Sequence, residues 1–278
     1  MDVRQYLDRI HYVGSTKVCI ETLSGLLRQH VFNIPFENVD IQKGIPIILQ
    51  EDLLFDKIVH RKRGGYCYEL NGLFSMLLNK LGFDISLVSG RVVKGKRIGD
   101  EFDHLAILVR LGRQQWLVDV GFGDFALIPL SMNTEAPQWD GRNHYCITPH
   151  DTDYCVMKQK NTEQSARIEY LFSTKNCLLS DFFPANEFKQ SSVESHFTQN
   201  LICSLPTQDG RISIINQHLI STVGEIKKES FIPIDDLPKL LSKYFNVHID
   251  ELPLKSATKH AFRFLQQSYF QNQDQILR

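Results

Sequence analysis

A cysteine that opens a helix-forming segment is the feature of this sequence that most directly suggests chemistry. Cys67 follows the pair Gly64-Gly65, and large apolar residues then recur at helical spacing until Gly82. The first turn of a helix collects backbone N–H groups without helical partners and the positive end of the helix dipole, and this setting lowers the pKa of a cysteine thiol. Because the thiolate is the nucleophilic form, Cys67 is a candidate nucleophile.

Simple packing is the alternative explanation for Cys67. The sequence has six cysteines, and most cysteines in reduced proteins are small buried apolar residues. They form no C-x-x-C pair and no zinc-finger spacing, so we expect no metal site. A nucleophilic cysteine usually needs a histidine as its base and a third group that orients the histidine. Both have candidates downstream.

His104 is the candidate base. It follows the segment 99–103 and opens the apolar segment Leu105–Val109, which would place its ring at the edge of a strand beside a loop. Among the other histidines, only His144 and His248 have a comparable setting. A lone histidine is more often structural or exposed, so the assignment depends on its partners.

Asp119 is the candidate orienting group, because it stands between Val118 and Val120 in an apolar strand. A carboxylate is expensive to bury unless it is paired and hydrogen-bonded. A structural salt bridge would satisfy that requirement. The catalytic interpretation is that Asp119 accepts the Nδ1–H of His104, which would fix the tautomer and stabilise the imidazolium.

Phe122 lies between Gly121 and Gly123, just after this strand. Glycines here would let the backbone approach a ligand closely, with Phe122 as an apolar wall. The G-F-G segment is not a dinucleotide-binding motif, because the rest of the G-x-G-x-x-G pattern is missing.

The segment Asn33–Val39 is turn-like and contains Phe36 and Glu37. Glu37 has a possible partner in Arg63, and this ion pair would anchor the loop that presents Cys67. Phe36 could line the same pocket. An ordinary packed loop is the interpretation that the residues alone favour.

Helical spacing dominates residues 1–85. Ser15 is a candidate N-cap for a helix that carries Cys19 on its apolar face. A second helix is predicted over 51–61, since it ends in basic residues followed by a glycine pair.

The apolar period becomes two from residue 84 onward, which predicts a sheet or barrel of antiparallel hairpins. The absence of alternating helices argues against a doubly wound parallel sheet. Residues 190–278 are mixed, with a hairpin around Asp209-Gly210 and a helix from Asp235 to Tyr244. The candidate strands of the sheet are Ile85–Lys94, Leu105–Leu111, Gln115–Val120, His144–Thr148, Tyr154–Lys158 and Ala166–Phe172.

Composition narrows the function classes. The chain has 278 residues, of which 42% are hydrophobic and 23% charged, as expected for a globular protein with a large core. The net charge of −1 gives no support for a nucleic-acid partner. The sequence shows no signal-peptide pattern and no apolar run of about 18 residues, so we expect a cytoplasmic protein with reduced thiols and no membrane partner.

Taken together, these segments resemble the arylamine N-acetyltransferases. That family carries P-F-E-N, then R-G-G-x-C-x-(E/Q)-x-N, then a histidine, then V-D-x-G-F-G. The same features stand here in the same order as Pro35–Asn38, Arg63–Asn71, His104 and Val118–Gly123. The match covers the first half of the chain, and Phe197–Leu205 is a weaker match to the family's segment near the coenzyme cleft. The chain lacks the long interdomain insertion of vertebrate members and so is similar to prokaryotic ones.

The resemblance implies an α+β fold in three parts. An N-terminal helical bundle over residues 1–85 would carry the cysteine. A central antiparallel β-barrel over 86–189 would carry the histidine and the aspartate, and a C-terminal α/β lid would cover 190–278. The three side chains would form a cysteine-protease-like triad.

The resemblance also implies a function in xenobiotic metabolism. Acetyl-coenzyme A would be the co-substrate, without a metal, and arylamines, hydrazines and arylhydroxylamines would be acetylated by a ping-pong mechanism through an acetyl-cysteine intermediate. The family's positions correspond here to catalytic Cys67, His104 and Asp119, acceptor-binding Phe36, Val92, Asp103 and Phe122, coenzyme-binding Gly123, Thr198 and Gln199, and supporting Glu37, Arg63 and Asn71.

Two other functions are compatible with the same residues. A papain-like or transglutaminase-like thiol hydrolase or amidase shares the order of cysteine, histidine and aspartate, and acetyl-enzyme formation without peptide cleavage would distinguish it. A binding module with a relict triad is the second alternative. Rapid alkylation of Cys67 near neutral pH would argue against that module.

Overall fold

The computed structural model describes residues 1–160 and 165–249, and the chain divides into two compact units. Of the described residues, the first unit comprises 1–36, 48–160 and 165–185, and the second comprises 37–47 and 186–249. Each unit combines helices with antiparallel sheet, so the expected α+β class is confirmed. The division into three domains at residues 85 and 189 stays a prediction.

Helices form the N-terminal part of the first unit. The helix that begins at Cys67, called here the Cys67 helix, is its centre, since Leu70, Leu73 and Phe74 are fully buried, as the apolar spacing predicts. The helical segments of the first unit are Val3–Arg9, Ile20–Asn33, Glu51–Phe55, the π-helical turn Asp56–His60, Cys67–Lys80 and, after the barrel strands, the 3-10 turn Leu179–Phe182.

Two helix predictions need correction. The helix that was predicted to start at Ser15 begins at Ile20, with Cys19 as its N-cap. The prediction of Ser15 as the cap was therefore wrong. The Ser15 side chain instead accepts the N–H of Lys17 and closes a local turn, a bond that competes with helix capping. The helix predicted over 51–61 is α-helical only over Glu51–Phe55 and continues as the π-helical turn.

Antiparallel strands form a nearly closed barrel in the same unit. The sheet's two outer strands, Leu130–Ser131 and Gln138–Trp139, approach each other: the Gln138 side chain accepts the N–H of Ser131 at 2.7 Å and donates to its carbonyl at 3.0 Å. The spatial order of strands is Leu130–Ser131, Gln114–Val118, His104–Leu111, Asp84–Lys94, Arg167–Phe172, Asp153–Gln159, His144–His150 and Gln138–Trp139, and Arg97–Ile98 pairs with the end of Asp84–Lys94.

The six strands predicted from the period-two pattern all exist, with ends that differ by one or two residues. Asp119 and Val120, which were predicted within a strand, lie just beyond the strand Gln114–Val118. The barrel interior is apolar and aromatic. Its core side chains are Val88, Ala106, Leu108, Leu117, Phe125, Ala126, Leu130, Tyr145, Ile147, Val156, Tyr170 and Phe172.

The second unit packs a helix on a five-stranded sheet. The predicted hairpin exists, but its turn is Gln208-Asp209, and Gly210 is the first residue of the next strand. A Cβ at Gly210 would lie 1.8 Å from the Thr222 carbonyl oxygen, so the close approach of two strands requires this glycine. The strands are Phe36–Glu37, Ile202–Thr207, Gly210–Ile215, His218–Val223 and Ile226–Phe231. The helices are Val39–Gln42, Phe183–Ser191, His196–Gln199 and Leu237–Phe245. The first three residues of the helix Phe183–Ser191 belong to the first unit.

Across residues 1–160 and 165–249, the structure has no helix whose length and apolar character would suit a membrane crossing.

Candidate active site

Cys67 is the first residue of its helix, the position that the sequence predicted. Tyr66 is the N-cap, and the Glu69 side chain reaches back to accept the Tyr66 N–H at 3.1 Å. The cysteine is only 4% exposed. The sulfur is therefore held at the positive end of the helix dipole and away from bulk water.

His104 begins the barrel strand His104–Leu111 and brings its ring to this helix end. Its Nε2 lies 2.6 Å from Oδ2 of Asp119, and the ring also hydrogen bonds the Cys67 side chain. The prediction that Asp119 would bind Nδ1 was wrong. Since Nε2 faces Asp119, Nδ1 is the nitrogen left for the sulfur. The sequence does not show which edge of the ring each partner meets.

The Asp119 carboxylate receives four hydrogen bonds although it is only 2% exposed. Oδ2 accepts from His104 Nε2 and from the Tyr170 hydroxyl at 3.1 Å. Oδ1 accepts from the Asn71 side-chain amide at 2.8 Å and from the Gly121 N–H at 2.9 Å. These donors stabilise the ionised carboxylate in an otherwise apolar setting.

Asn71 joins the Cys67 helix to the strands on both sides of the site. Besides Asp119, its side-chain nitrogen donates to the Leu105 carbonyl at 2.6 Å, and its oxygen accepts the N–H of Val120 at 2.8 Å. The residue is fully buried. It therefore fixes the elements that carry the cysteine, the histidine and the aspartate relative to one another.

The surroundings of His104 determine its charge. Burial alone would lower the pKa of the imidazole, but the Asp119 carboxylate, by its charge and its hydrogen bond, and the Cys67 side chain raise the pKa to about 10. His104 is therefore protonated near neutral pH. A protonated imidazole beside the cysteine can balance a negative charge on the sulfur or give up its proton during a reaction.

Gly121 packs directly on the nucleophile candidate. A Cβ at this position would lie 2.9 Å from the Cys67 Cα and 3.0 Å from the Cys67 carbonyl oxygen. The Gly121 and Val120 N–H groups already donate to Asp119 and Asn71. These two groups are therefore engaged in holding the site and are not free to bind a developing oxyanion.

Comparison with known proteins decides the family. A sequence profile described as N-acetyltransferase matches residues 19–253. The chain belongs to this family. An arylamine N-acetyltransferase of Mycolicibacterium smegmatis is 34% identical over 227 residues, which are 79% of this chain and 82% of that protein.

Solved structures give the same answer for the fold. The M. smegmatis arylamine N-acetyltransferase matches with a TM-score of 0.85 at 27% identity, over 94% of this chain and 97% of that one. The Mycobacterium marinum arylamine N-acetyltransferase, solved in complex with CoA, matches with a TM-score of 0.82 at 27% identity, over 88% and 93% of the two chains. The resemblance found in the motifs is thus confirmed.

Aromatic rings flank the histidine of this N-acetyltransferase. The Phe122 ring centroid is 5.1 Å from that of His104, nearly perpendicular to it, and 5.3 Å from that of Tyr170. Gly123 has a φ of +93°, and a Cβ there would lie 3.5 Å from the Phe36 ring. Two of the expected acceptor-binding residues, Phe36 and Phe122, therefore border the same glycine-containing turn.

Val92 and Asp103 meet at Gly99. The Val92 carbonyl accepts the Gly99 N–H at 2.8 Å, and the Asp103 carboxylate packs against the open face of Gly99. The Tyr68 hydroxyl donates to the carbonyl of Phe102, a residue held at a φ of +65°. The roles of Val92 and Asp103 in acceptor binding stay predictions.

The segment around Thr198 and Gln199 is tied within the second unit. The Thr198 hydroxyl lies 2.6 Å from the Ser192 carbonyl, and the Gln199 amide donates to the Val193 carbonyl at 2.7 Å. The buried Asn38 side chain donates to the carbonyls of Phe197 and Asn200 and accepts the Ile202 N–H. Asn38, the last residue of the P-F-E-N segment, therefore holds the segment from Phe197 to Ile202 in place.

The expected pair of Glu37 and Arg63 stays a prediction. Glu37 is fully buried, and its Oε2 accepts the N–H of Val39 at 2.7 Å. The Arg63 N–H donates to the Lys57 carbonyl at 3.0 Å.

In the described part of the chain, no cluster of three or more His, Cys, Asp or Glu side chains is placed to hold a metal ion.

Sequence reasoning missed two features of the site. Tyr170 bonds Asp119, and a tyrosine within an apolar strand was a usable signal, because a buried hydroxyl needs a partner. Lys57 forms a buried ion pair with Glu69. Its signal was a lysine placed among Leu54, Phe55 and Ile58 in an apolar segment.

Proposed function

We propose that the protein transfers the acetyl group of acetyl-coenzyme A to arylamines, hydrazines and arylhydroxylamines, through an acetyl-Cys67 intermediate. The observation that carries the proposal is the cysteine at a helix start, hydrogen-bonded to a histidine that a buried carboxylate keeps protonated. Membership of the N-acetyltransferase family supports the acyl-transfer chemistry. The CoA complex of the M. marinum relative supports the co-substrate.

The first half-reaction charges the enzyme. The Cys67 thiolate attacks the thioester carbonyl carbon, a new carbon–sulfur bond forms, and the bond to the coenzyme sulfur breaks. The His104 imidazolium gives its proton to the departing coenzyme thiolate. The products are acetyl-Cys67 and free coenzyme A, and His104 is left neutral.

The second half-reaction uses that neutral histidine as a base. Acetylation removes the negative charge of the thiolate, and this removes one of the effects that raised the pKa of His104. The acceptor nitrogen attacks the acetyl carbon, the bond to Cys67 breaks, and His104 takes the proton from the nitrogen. The thiolate–imidazolium pair is thereby restored.

The acceptor class follows from the basicity of amines. Aromatic amines and arylhydrazines are weakly basic and neutral near pH 7, whereas alkylamines are protonated there and lack a free electron pair. An apolar, aromatic pocket formed by Phe36, Val92 and Phe122 would disfavour a charged amine further. Asp103 is proposed to contact the acceptor as well.

Coenzyme contacts and location complete the proposal. We assign Gly123, Thr198 and Gln199 to coenzyme binding, as the family resemblance implies. A nucleophilic thiolate works only while it is reduced, so we place the protein in the cytoplasm. The near-zero net charge gives no reason to add a nucleic acid or a membrane to its partners.

Replacement of the nucleophile tests this function. Cys67→Ser should abolish acetyl transfer to an arylamine while the protein stays folded, because serine does not form the anion that the ion pair needs. Cys155→Ser, which changes a buried cysteine in the barrel, is the matched control and should keep its activity. Substantial transfer by a folded Cys67→Ser variant would contradict the assignment.

A further inference from the structure

A buried ion pair lies beside the nucleophile and has no part in the mechanism described above. Lys57 Nζ donates to Oε1 of Glu69 at 2.7 Å, and the two side chains are only 5% and 1% exposed. Lysine and glutamate are almost never this deeply buried without a partner. The question is what this pair does at the start of the Cys67 helix.

Glu69 supports the backbone that presents the cysteine. Its second oxygen, Oε2, accepts the N–H of Tyr66, the residue directly before Cys67. A Cβ at Gly65 would lie 2.8 Å from the same oxygen. The glycine turn therefore rests on the carboxylate that also holds the backbone directly before Cys67.

The backbone that carries Lys57 is itself held by hydrogen bonds. Lys57 lies in the π-helical turn Asp56–His60, a rare form that is frequent at functional sites. Its carbonyl accepts the Arg63 N–H, and the Arg9 guanidinium donates to the carbonyls of Ile58 and Arg63. The ammonium group is thus delivered by a backbone that is itself fixed.

Stability alone does not explain such a pair. Removing two charges from water costs as much as their attraction returns, and well-packed apolar residues of similar volume often serve a buried site equally well. The location gives another reason. A carboxylate two residues from Cys67 would oppose the thiolate by Coulomb repulsion unless a cation balances it.

We propose that Lys57 and Glu69 are positioning residues for the nucleophile: Glu69 holds the turn that presents Cys67, and Lys57 neutralises that carboxylate so that the thiolate can form. The inference rests on the nucleophilic role of Cys67 proposed above. Neither residue touches the reacting atoms.

Other charged groups near Cys67 stay constant in the test. The His104 ring interacts with the Cys67 side chain, and its Nε2 is hydrogen-bonded to Asp119. The Tyr68 hydroxyl interacts electrostatically with Cys67 and with Asp103. Substitutions confined to Lys57 and Glu69 therefore leave these groups unsubstituted.

The pH profile of Cys67 alkylation by iodoacetamide, followed by peptide mass spectrometry, provides the test. Lys57→Met removes the cation and should move the midpoint of the profile upward by about one pH unit. Glu69→Gln removes the anion and should move it downward. The double variant should return close to the wild-type midpoint. Lys80→Met removes an exposed lysine at the far end of the same helix and should shift nothing.

The signs of these shifts separate the possible outcomes. A Lys57→Met variant that melts earlier but keeps the wild-type midpoint would show that the pair is only structural and would overturn the proposal. If Lys57→Met does not fold, Glu69→Gln and the double variant decide, since equal midpoints in these two variants also contradict it. A wild-type Cys67 that alkylates no faster than the half-exposed Cys146 at neutral pH would instead count against the proposed function.

Discussion

The charge on His104 is set by a carboxylate that has no spare hydrogen-bonding capacity. Asp119 accepts from His104, Tyr170, Asn71 and Gly121 at distances between 2.6 and 3.1 Å. All four partners donate, so they match an acceptor and would conflict with a donor. The chemistry of the cysteine therefore depends on one buried acid that the sulfur does not touch.

Asp119→Asn should disable Cys67 and destabilise the fold. An amide in this place can turn its NH₂ toward Nε2 of His104 and favour the wrong tautomer. Breaking a buried charged pair costs about 3–5 kcal/mol of unfolding free energy. Iodoacetamide alkylation rates measured against pH would report the first effect and urea unfolding the second. Asp153→Asn, which breaks a pair with Arg91 at the barrel surface, is the control, and a wild-type alkylation profile in Asp119→Asn would remove Asp119 from the site.

Phe122→Ala should weaken arylamine acceptors selectively. The ring borders His104 and is half-buried, so an aromatic acceptor would gain about 0.5–1.5 kcal/mol from stacking beyond simple burial. We expect a higher KM for arylamines, a smaller change for hydrazine itself, and near-normal acetylation of Cys67 by acetyl-coenzyme A. Equal losses for ringed and ringless acceptors would show that Phe122 supports the fold and does not select the substrate.

Gly121 shows how the barrel and the Cys67 helix are fitted together at the scale of whole elements. The turn after the strand Gln114–Val118 runs against the backbone of Cys67, within 2.9 Å of where a side chain would start. The Asn71 side chain closes the same contact from the helix. Helix and barrel thus meet through backbone atoms, which yield less than side chains do.

Gly121→Ala should therefore slow the first half-reaction. The new methyl group meets the Asn71 side-chain nitrogen and two backbone atoms of Cys67, so the turn must move. Misplacement by about 1 Å can cost about a hundredfold in rate. Stopped-flow release of coenzyme A from acetyl-coenzyme A would measure the effect. Gly72→Ala is the control, because its Cβ would lie 3.5 Å from the nearest atom, a Leu179 side-chain carbon. Equal rates in both variants would contradict the tight fit.

Periodicity predicted the elements well, because burial on one face leaves a direct trace in the sequence. The Cys67 helix and all six barrel strands follow from it, and so does the placement of Cys67 at a helix start. Ser15 was misassigned because its hydroxyl satisfies a local turn, a choice that propensity does not resolve. The orientation of the His104 ring and the Lys57–Glu69 pair depend on contacts between residues distant in the chain, which spacing alone does not encode.

Two buried histidines of the first unit have pKa values that are shifted in opposite directions. His30 lies between Tyr6 and Phe74, and burial, aided by the charge of Arg9, lowers its pKa from 6.5 to about 3. His104 has its pKa raised to about 10. The two groups therefore respond to pH with opposite signs.

The contribution of these two histidines to the free energy of unfolding should fall on both sides of pH 6.5. Between 6.5 and about 3 the unfolded state binds a proton at His30 that the folded state refuses, so stability is lost as pH falls. The contribution of His104 is fully present below 6.5 and is lost as pH rises toward about 10. Each slope is at most about 1.4 kcal/mol per pH unit.

Urea unfolding of His30→Gln, which keeps an acceptor for Tyr6, isolates the acid limb. Its stability should depend less on pH than that of the wild type between about pH 6.5 and 5. The exposed His150→Gln is the control. An unchanged acid slope in His30→Gln would mean that His30 is not the group that titrates.

Intact-protein mass spectrometry after incubation with acetyl-coenzyme A alone tests the central claim most directly. The account predicts that the wild-type chain gains the mass of one acetyl group, that peptide mapping locates it on Cys67, and that an arylamine removes it as the N-acetyl product. Cys155→Ser should acquire the group as the wild type does, and Cys67→Ser should not. An unmodified wild-type chain, or an acetyl group on another residue that the arylamine does not remove, would contradict the account.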